Sequence, residues 1–360
     1  MSESVSGPLV TPAPATRRGS YSKPVIDLHF HWYPEEFIAL MEAEAGAHGA
    51  TVTRGSDGAV RIKTPTNIDR GPGNALRSDP SKTQVDLMIK EMDEAGIGME
   101  VVTQTNPHII WAPPEFGAKL ARAVNDGNSR LHEEYPDRFI GSITLPLQDV
   151  RLSLEELERA CQLPGMRCVN VTENVLGKKN VGDPSLWPIW ERCEALGLPL
   201  FLKNVDTISE RLDDPGASQM NIVSNPFEAT IAGVSLMLSG ALDAFPNLEV
   251  YLPHAGGFFA FVAPRIEFAQ SAMAGARFKN MKHPATAYLR RFHYDLIIHS
   301  PRLMRTLIDL VGVDRVACGT DRPQAMEIAD PVGYVEAIPN ITRREAELIL
   351  CENPARLLKV

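Results

Sequence analysis

Two histidines separated by a single residue are the first candidates for chemistry in this chain. His29 and His31 end the apolar segment VIDLHFH, residues 25–31. Side chains alternate along a β-strand, so both imidazoles point to one face, at a separation that suits two ligands of one metal ion. Three other apolar segments also end in polar residues that could join such a site: His254, His299 and Asp321.

A lysine ends one further apolar segment. The stretch PLFLKN, residues 199–204, predicts a buried strand whose alternation directs Lys203 inward. An ammonium about 5 Å from a divalent cation is repelled by roughly 6 to 7 kcal/mol at an effective dielectric constant of about 20. Lys203 is therefore a neutral ligand or base, a cation that replaces the metal by pairing with Asp321, or an amine that forms an imine with a keto substrate. A last interpretation leaves the ammonium in solvent without a role.

Eight short apolar segments, separated by helical patterns, would position these residues. They are residues 25–31, 100–105, 138–146, 168–173, 199–204, 248–256, 292–300 and 315–321. This alternation predicts an α/β fold, a parallel sheet closed into a (β/α)8 TIM barrel, with the active site at the carboxyl ends of the strands. A doubly wound open sheet is the alternative, but histidines occupy the place of its glycine-rich phosphate turn.

The connection after the first strand is long enough to hold a small additional unit. Residues 42–82 contain two alternating segments around Asp57-Gly58, which predict a β-hairpin inserted beside the barrel mouth, followed by a loop over 67–82. Residues 1–23 are rich in Ser, Pro and Thr, which predicts a disordered arm. The remainder, residues 24–360, is expected to form a single barrel domain.

Composition excludes several classes of partner. The 360 residues carry a net charge of −9 without a basic cluster, which argues against nucleic acid. No segment is long and apolar enough to span a bilayer, so we expect no membrane partner. The five cysteines are scattered and odd in number, which favours free thiols and a cytoplasmic location.

Seven ordered segments carry a resemblance to a known family. They are IDLHFHWYP, LMIKEMDEAGIGMEVVTQT, EEYPDRFIGSITLPLQD, GDPSLWPIWERCEALGLPLFL, HAGGFFAFVAPRIEF, YDLIIHSPRLMRTLIDLVGVDRVACGTDRP and ILCENPARLLKV. With them the chain resembles the second amidohydrolase family, typified by 2-amino-3-carboxymuconate 6-semialdehyde decarboxylase and related aromatic-acid decarboxylases. The resemblance implies that His29, His31 and Asp321 bind a divalent metal, Zn or Mn, beside His254 as general acid and base. The family pattern ends the fifth strand with a further ligand histidine, and Lys203 replaces it here, which puts the metal in question.

The resemblance also implies residues that contact an anionic small-molecule substrate. Arg61 stands where the decarboxylases keep an arginine for the substrate carboxylate. Arg265 resembles the arginine that those enzymes insert into the neighbouring subunit's site, which implies a homodimer or higher homo-oligomer. Three more residues are candidates for lining the pocket: His108, Trp111 and His299.

Three functions follow as hypotheses. The first is a metal-assisted decarboxylase, a carbon–carbon lyase, of an aromatic or conjugated carboxylic acid. The second is a hydrolase or hydratase of a ring-cleavage or lactone-type substrate on the same barrel, with or without metal, in which Lys203 and Asp321 are catalytic. The third is a non-catalytic binding protein that kept the barrel after losing a ligand.

Overall fold

The computed structural model describes residues 21–56, 60–65, 76–78, 83–205, 220–273 and 278–360. Ten strands lie within these ranges: β1 (Ile26–His31), β2 (Thr51–Arg54), β3 (Val60–Lys63), β4 (Leu76–Ser78), β5 (Met99–Thr103), β6 (Phe139–Thr144), β7 (Met166–Thr172), β8 (Leu200–Lys203), β9 (Val250–Leu252) and β10 (Phe292–Tyr294). The α-helices of the same ranges are α1 (Glu35–Glu44), α2 (Val85–Ala95), α3 (Pro114–Glu134), α4 (Val150–Ala160), α5 (Trp187–Leu196), α6 (Asn225–Ser239), α7 (Ala241–Ala244), α8 (Phe259–Ala272), α9 (Pro301–Val311), α10 (Pro331–Glu336), α11 (Arg343–Glu347) and α12 (Asn353–Leu358). None of these described helices has the length and apolar character needed to cross a membrane.

Seven of the strands form one curled parallel sheet. Their order is β1-β5-β6-β7-β8-β9-β10, and each neighbouring pair is parallel. Parallel neighbours need a crossover connection, and the helices between successive strands supply it. The carboxyl ends of all seven strands therefore lie at the same edge of the sheet.

The eighth predicted strand closes the sheet without forming a continuous ladder. Two isolated parallel bridges join it to its neighbours: Tyr294 pairs with Val316, and Phe30 pairs with Arg322. The Asp321 amide also donates a hydrogen bond to the His29 carbonyl at 2.9 Å. The ladder is interrupted because Asp321 adopts a φ of 67°, which is incompatible with extended backbone. The segment nevertheless connects β10 to β1, and the predicted (β/α)8 barrel is confirmed.

The predicted hairpin insertion is also present. Strand β2 pairs with β3 in antiparallel register, although the Asp57-Gly58 turn lies outside the described residues. A third strand, β4, pairs with β3 inside the segment that we expected to be a loop, so that expectation was wrong for residues 76–78. A three-residue strand between Gly, Pro and Asn residues leaves too little alternation for a sequence pattern to detect.

The predicted N-terminal arm falls mostly on residues that the structure does not describe. Residues 1–20 lie outside the described ranges. At the end of the arm, the Tyr21 hydroxyl donates a hydrogen bond to Glu336 at 3.0 Å, and Arg343 lies 3.8 Å from the centre of the Tyr21 ring. Residue 21 therefore packs onto the helical layer of the barrel.

An apolar plug fills the barrel below the strand ends. Its buried side chains come from the strands and from the last helix: Ile26, Leu28, Val101, Ile140, Cys168, Phe201, Tyr251, Ala317, Leu357 and Leu358. The Phe201 and Tyr251 rings stack with their centres 4.8 Å apart. Because alternate residues of a strand share a face, Lys203 stands one layer above Phe201, on the side where the strands end. The plug thus separates the polar mouth of the barrel from its base.

Candidate metal centre

The side chains of His29, His31 and Asp321, called here the His-His-Asp cluster, meet at the mouth of the barrel. One ligand atom of each residue lies within 4.8 Å of those of the other two, and all three residues are buried. The Nε2 atoms of His31 and His29 lie 2.8 Å and 3.4 Å from Oδ1 of Asp321. Imidazole nitrogens and a carboxylate oxygen are suitable ligands for a divalent transition metal, so the cluster could hold one.

Asp27 connects β1 to the segment that carries Asp321. Its Oδ1 accepts hydrogen bonds from the amides of His29 at 2.9 Å and Thr320 at 3.0 Å, and the Thr320 hydroxyl donates to its Oδ2. Burial raises the pKa of Asp27 to about 6. The carboxylate contacts the backbone of His29, so it sets the position of β1 relative to the segment that ends in Asp321.

Asp295 is a buried acid of the candidate site that sequence reasoning missed. Its side chain is fully buried, and Oδ2 lies 3.1 Å from Nδ1 of His29. The same carboxylate accepts hydrogen bonds from the backbone amides of His254 and Ala255 at 2.9 Å and 2.6 Å. A signal was available: an acid within the apolar run YDLIIHS must find buried donors.

His254 lies beside the cluster in the turn that follows β9. Its ring centre is 5.7 Å from that of His29, and its Nδ1 has no hydrogen-bond partner among the described residues. Burial is the main cause that lowers the pKa of His254 below its usual value, and His299 adds to the effect. His299 is half-buried, and its Nε2 also lacks a partner in the described part of the chain. The lowered pKa favours the neutral imidazole, which can take up a proton and pass it on.

Lys203 lies inside the barrel, as its strand alternation predicts. The side chain is only 1% exposed, and Nζ makes no hydrogen bond to any described residue. Burial lowers the pKa of Lys203 to about 8, while Asp321 and Asp295 oppose the shift. The interpretation that leaves the ammonium in solvent is therefore wrong, because the amine is enclosed with the acids of the site.

His108 lines a small pocket at the mouth. The pocket is bounded by polar and apolar groups: Gln104, His108, Ile109, Ile110, Thr144, Leu145, Asn170, Val171 and Thr172. Nε2 of His108 donates to the carbonyl of Asn204 at 2.8 Å, and burial lowers the pKa of His108 to about 4. Trp111 packs edge to face on Phe116 with ring centres 6.0 Å apart, behind this wall.

The two predicted substrate arginines lie on other elements. Arg61 is half-buried at the centre of β3, where its backbone pairs with Thr53 and Arg77. Arg265 is exposed on α8. The insertion and an exposed helix thus carry these two cations, whereas the other predicted residues belong to the barrel and the segments that extend its strands.

Three residues of the site share an unusual backbone conformation. His254, His299 and Asp321 have φ values of 55°, 51° and 67°. This left-handed region costs a residue with a side chain about 1 to 2 kcal/mol. The surrounding structure therefore holds each of these polar groups in a position that the free chain disfavours.

The fold and the cluster together define a (β/α)8 barrel protein with a candidate metal centre at the carboxyl ends of its strands. The chain belongs to the amidohydrolase family: a family model described as Amidohydrolase matches residues 26–360.

Characterised relatives and solved structures extend this comparison. A 2-amino-3-carboxymuconate-6-semialdehyde decarboxylase of Dictyostelium discoideum is 30% identical over 92% of this chain and 91% of its own length. The apo crystal structure of IDCase from Metarhizium anisopliae has a TM-score of 0.79 at 24% identity, covering 94% of this chain and 97% of that one. A dihydroxybenzoic acid decarboxylase of a Polaromonas species, solved with manganese and the inhibitor 2-nitroresorcinol, has a TM-score of 0.73 at 24% identity over 94% and 97% of the two chains.

Proposed function

We propose that this protein is a decarboxylase, a carbon–carbon lyase that acts on an aromatic or conjugated carboxylic acid with the help of Mn or Zn. The observation that carries the proposal is the convergence of three ligand atoms within 4.8 Å at the barrel mouth. The decarboxylase name of the Dictyostelium relative supports the reaction, and the manganese in the Polaromonas structure supports the metal. His29, His31 and Asp321 are the proposed ligands.

The residues of the site fit a bound divalent cation. His29 Nε2 and Asp321 Oδ1 lie 3.4 Å apart, and a cation coordinated by both atoms would stabilise this arrangement. When bound, the metal supplies an anchor for a substrate carboxylate or phenolate and lowers the pKa of a coordinated water to about 7.

Lys203 takes part as a neutral amine in this proposal. Its pKa of about 8 places deprotonation within reach at physiological pH. An ammonium beside a dication would be repelled by several kcal/mol, whereas a neutral amine offers a lone pair as a fourth donor or as a base. The lysine therefore takes the place of a ligand histidine without leaving two cations in contact.

His254 is the proposed proton donor and acceptor. When the bond to the carboxyl group breaks, carbon dioxide leaves and the electron pair stays on the substrate carbon, which must then take a proton. Nδ1 of His254 is buried and has no partner in the described chain, and the ring centre lies 5.7 Å from that of His29. His254 takes up a proton from solvent or from the bound acid, passes it as the imidazolium to the carbon, and so returns to its neutral form.

Five further residues are proposed to contact the substrate: Arg61, His108, Trp111, Arg265 and His299. Arg265 is exposed on α8 between Phe261 and Phe268, which are also exposed. We infer that this face of α8 meets a second copy of the chain and that Arg265 enters the partner's site, so the protein is a homodimer. A cytoplasmic location is part of the proposal, supported by five free cysteines.

Metal content and carbon dioxide release test the proposal together. Protein purified without chelators is expected to contain Mn or Zn by elemental analysis and to release carbon dioxide from at least one acid of a panel of hydroxybenzoates and conjugated dicarboxylates. Asp321→Asn is expected to lose metal and activity, whereas Asp126→Asn, at an exposed position of α3, keeps both. Full activity of metal-free protein in chelator would contradict the proposed role of the metal. Inactivity on every acid would contradict the proposed decarboxylase activity.

A further inference from the structure

The carboxylate of Asp295 contacts two functional groups of the site at once. Its Oδ2 lies 3.1 Å from Nδ1 of His29 and accepts the amide of His254 at 2.9 Å. Its Oδ1 accepts the amides of Ala255 at 2.6 Å and Ile297 at 3.1 Å. Three backbone amides and the Tyr251 hydroxyl, which lies 3.4 Å from Oδ2, donate to the two buried oxygens and satisfy an ionised carboxylate, which only accepts hydrogen bonds.

This contact determines which nitrogen of His29 carries the proton. Because an ionised carboxylate cannot donate, the shared hydrogen must belong to Nδ1 of His29, and the lone pair is then on Nε2. Nε2 is the atom that faces Oδ1 of Asp321, at 3.4 Å. The contact with Asp295 therefore leaves His29 in the form that can bind a metal at the His-His-Asp cluster.

The second contact holds the turn that carries His254. His254 and Ala255 are consecutive residues with φ values of 55° and 52°, and both of their amides point to Asp295. A buried amide without an acceptor is unfavourable, so these two bonds offset the unfavourable backbone. Without them, the imidazole of His254 would lose its fixed position beside His29.

We propose that Asp295 is a positioning residue that sets both the tautomer of His29 and the place of His254, so that metal affinity and proton transfer depend on one buried carboxylate. The proposal rests on the proposed function for the roles of these two histidines.

The isosteric variant Asp295→Asn provides the test. Its carbonyl oxygen is expected to keep the amides of Ala255 and Ile297, so the NH2 group replaces Oδ2. That group donates to Nδ1 of His29 and moves the proton to Nε2, which can then no longer bind a metal. The Kd for Mn²⁺, measured by calorimetry with the metal alone, is expected to rise about 10- to 100-fold.

A second measurement separates positioning from simple stability. Nitrogen-15 NMR of metal-free, histidine-labelled protein reports the tautomer of each ring, and the signal that His29→Gln removes identifies His29. We expect Nδ1–H in the parent protein and Nε2–H in Asp295→Asn. A purely structural role of Asp295 would lower the unfolding midpoint without moving this proton.

The control is another aspartate that accepts a backbone amide. Asp149 accepts from Leu152 at 2.9 Å at the start of α4, and Asp149→Asn is expected to leave the Kd for Mn²⁺ and the His29 tautomer unchanged. A Kd of Asp295→Asn within threefold of the parent would overturn the inference. So would an Nε2–H tautomer in the parent, a result that does not require the variant to fold. Failure of the parent protein to bind either Mn²⁺ or Zn²⁺ would instead contradict the proposed function, and the NMR result would still decide the tautomer.

Discussion

Lys203 shows how one substituted residue changes the chemistry available to a site. The amine is enclosed by the barrel, and its pKa of about 8 reflects a balance between burial and the nearby carboxylates Asp321 and Asp295. A histidine at this position would bind metal without first losing a proton at neutral pH, whereas the lysine must release one. In the proposed site, metal binding and protonation are therefore coupled through Lys203.

Replacing the amine by a side chain of similar length tests this coupling. In the parent protein, the affinity for Mn²⁺ is expected to rise about tenfold per pH unit from pH 6 to about pH 8, because binding removes a proton from Lys203, and to level off above that pH. In Lys203→Met the rise between pH 7 and pH 8 is lost. Calorimetry in buffers of different ionisation enthalpy measures the released proton.

Lys119→Met is the control, since that ammonium lies exposed on α3. It is expected to keep the parental pH dependence. Binding of Mn²⁺ to the parent without proton release would contradict the neutral-amine role.

His108 supports a prediction about stability and pH. Its folded pKa is about 4, below an ordinary value of 6.5, so the unfolded chain binds more protons between these limits. The contribution of His108 to stability is complete above about pH 6.5 and is lost as the pH falls toward 4. Between pH 7 and pH 5 the loss is about 2 kcal/mol. His108→Gln is expected to show a smaller drop in the free energy of unfolding over this range.

His48 provides the comparison, because it is a half-buried histidine whose ring stacks on Phe116. Urea unfolding of His48→Gln over the same pH range measures the effect of removing a histidine from another part of the barrel. Equal pH dependence in His108→Gln and the parent would show that the folded and unfolded chains bind protons at His108 alike, contrary to this prediction.

At the scale of elements, the turns after the strands place the functional groups. Gly257 joins the His254 turn to α8 with a φ of 59°, and a Cβ there would lie 1.8 Å from the carbonyl oxygen of Pro226 at the start of α6. The close approach of α6 to this turn therefore requires glycine.

Gly257→Ala is expected to lower the free energy of unfolding by at least about 2 kcal/mol, since both the backbone angle and the contact with Pro226 become unfavourable. Urea unfolding measures the change. Gly46→Ala, where a Cβ meets no atom within 4 Å, is expected to change stability by less than about 1 kcal/mol. Equal effects of the two substitutions would disprove the packing argument.

The elements also show which features a sequence pattern can reveal. The rule that parallel strands end at one edge was enough to bring Lys203, His254 and Asp321 together, because it depends only on strand order. The sequence did not predict Asp295, because its proposed role depends on which backbone amides point toward it. Two of those amides belong to the turn after β9. Strand β4 was not predicted for another reason: a strand of three residues is too short to display alternation.

The whole molecule carries an apolar surface that a second copy would cover. Phe268 is 72% exposed on α8, and Phe258, Phe261 and Met273 are exposed on or beside the same helix. Phe268→Glu is expected to convert the proposed dimer to monomers in analytical ultracentrifugation, because a buried carboxylate in the interface would be unpaired. Leu310→Glu changes an exposed apolar residue of α9 and should leave the dimer intact.

Mixed dimers test whether Arg265 completes the partner's site. Arg265→Ala and His254→Asn are each expected to be inactive alone. Unfolded and refolded together, they should regain activity, because a hybrid pairs an intact His254 with an Arg265 from the other chain. A parent protein that is monomeric, or a mixture that stays inactive, would contradict this arrangement.

The left-handed backbone of the site has a consequence for natural selection. His299 has a φ of 51° and an Nε2 without a partner in the described chain, so glycine at this position would relieve unfavourable geometry and leave few contacts unmade. We expect His299→Gly to melt at a higher temperature than the parent while turning over substrate more slowly. If so, natural selection has kept this protein less stable than its fold permits, because its activity requires side chains at positions with an unfavourable backbone conformation.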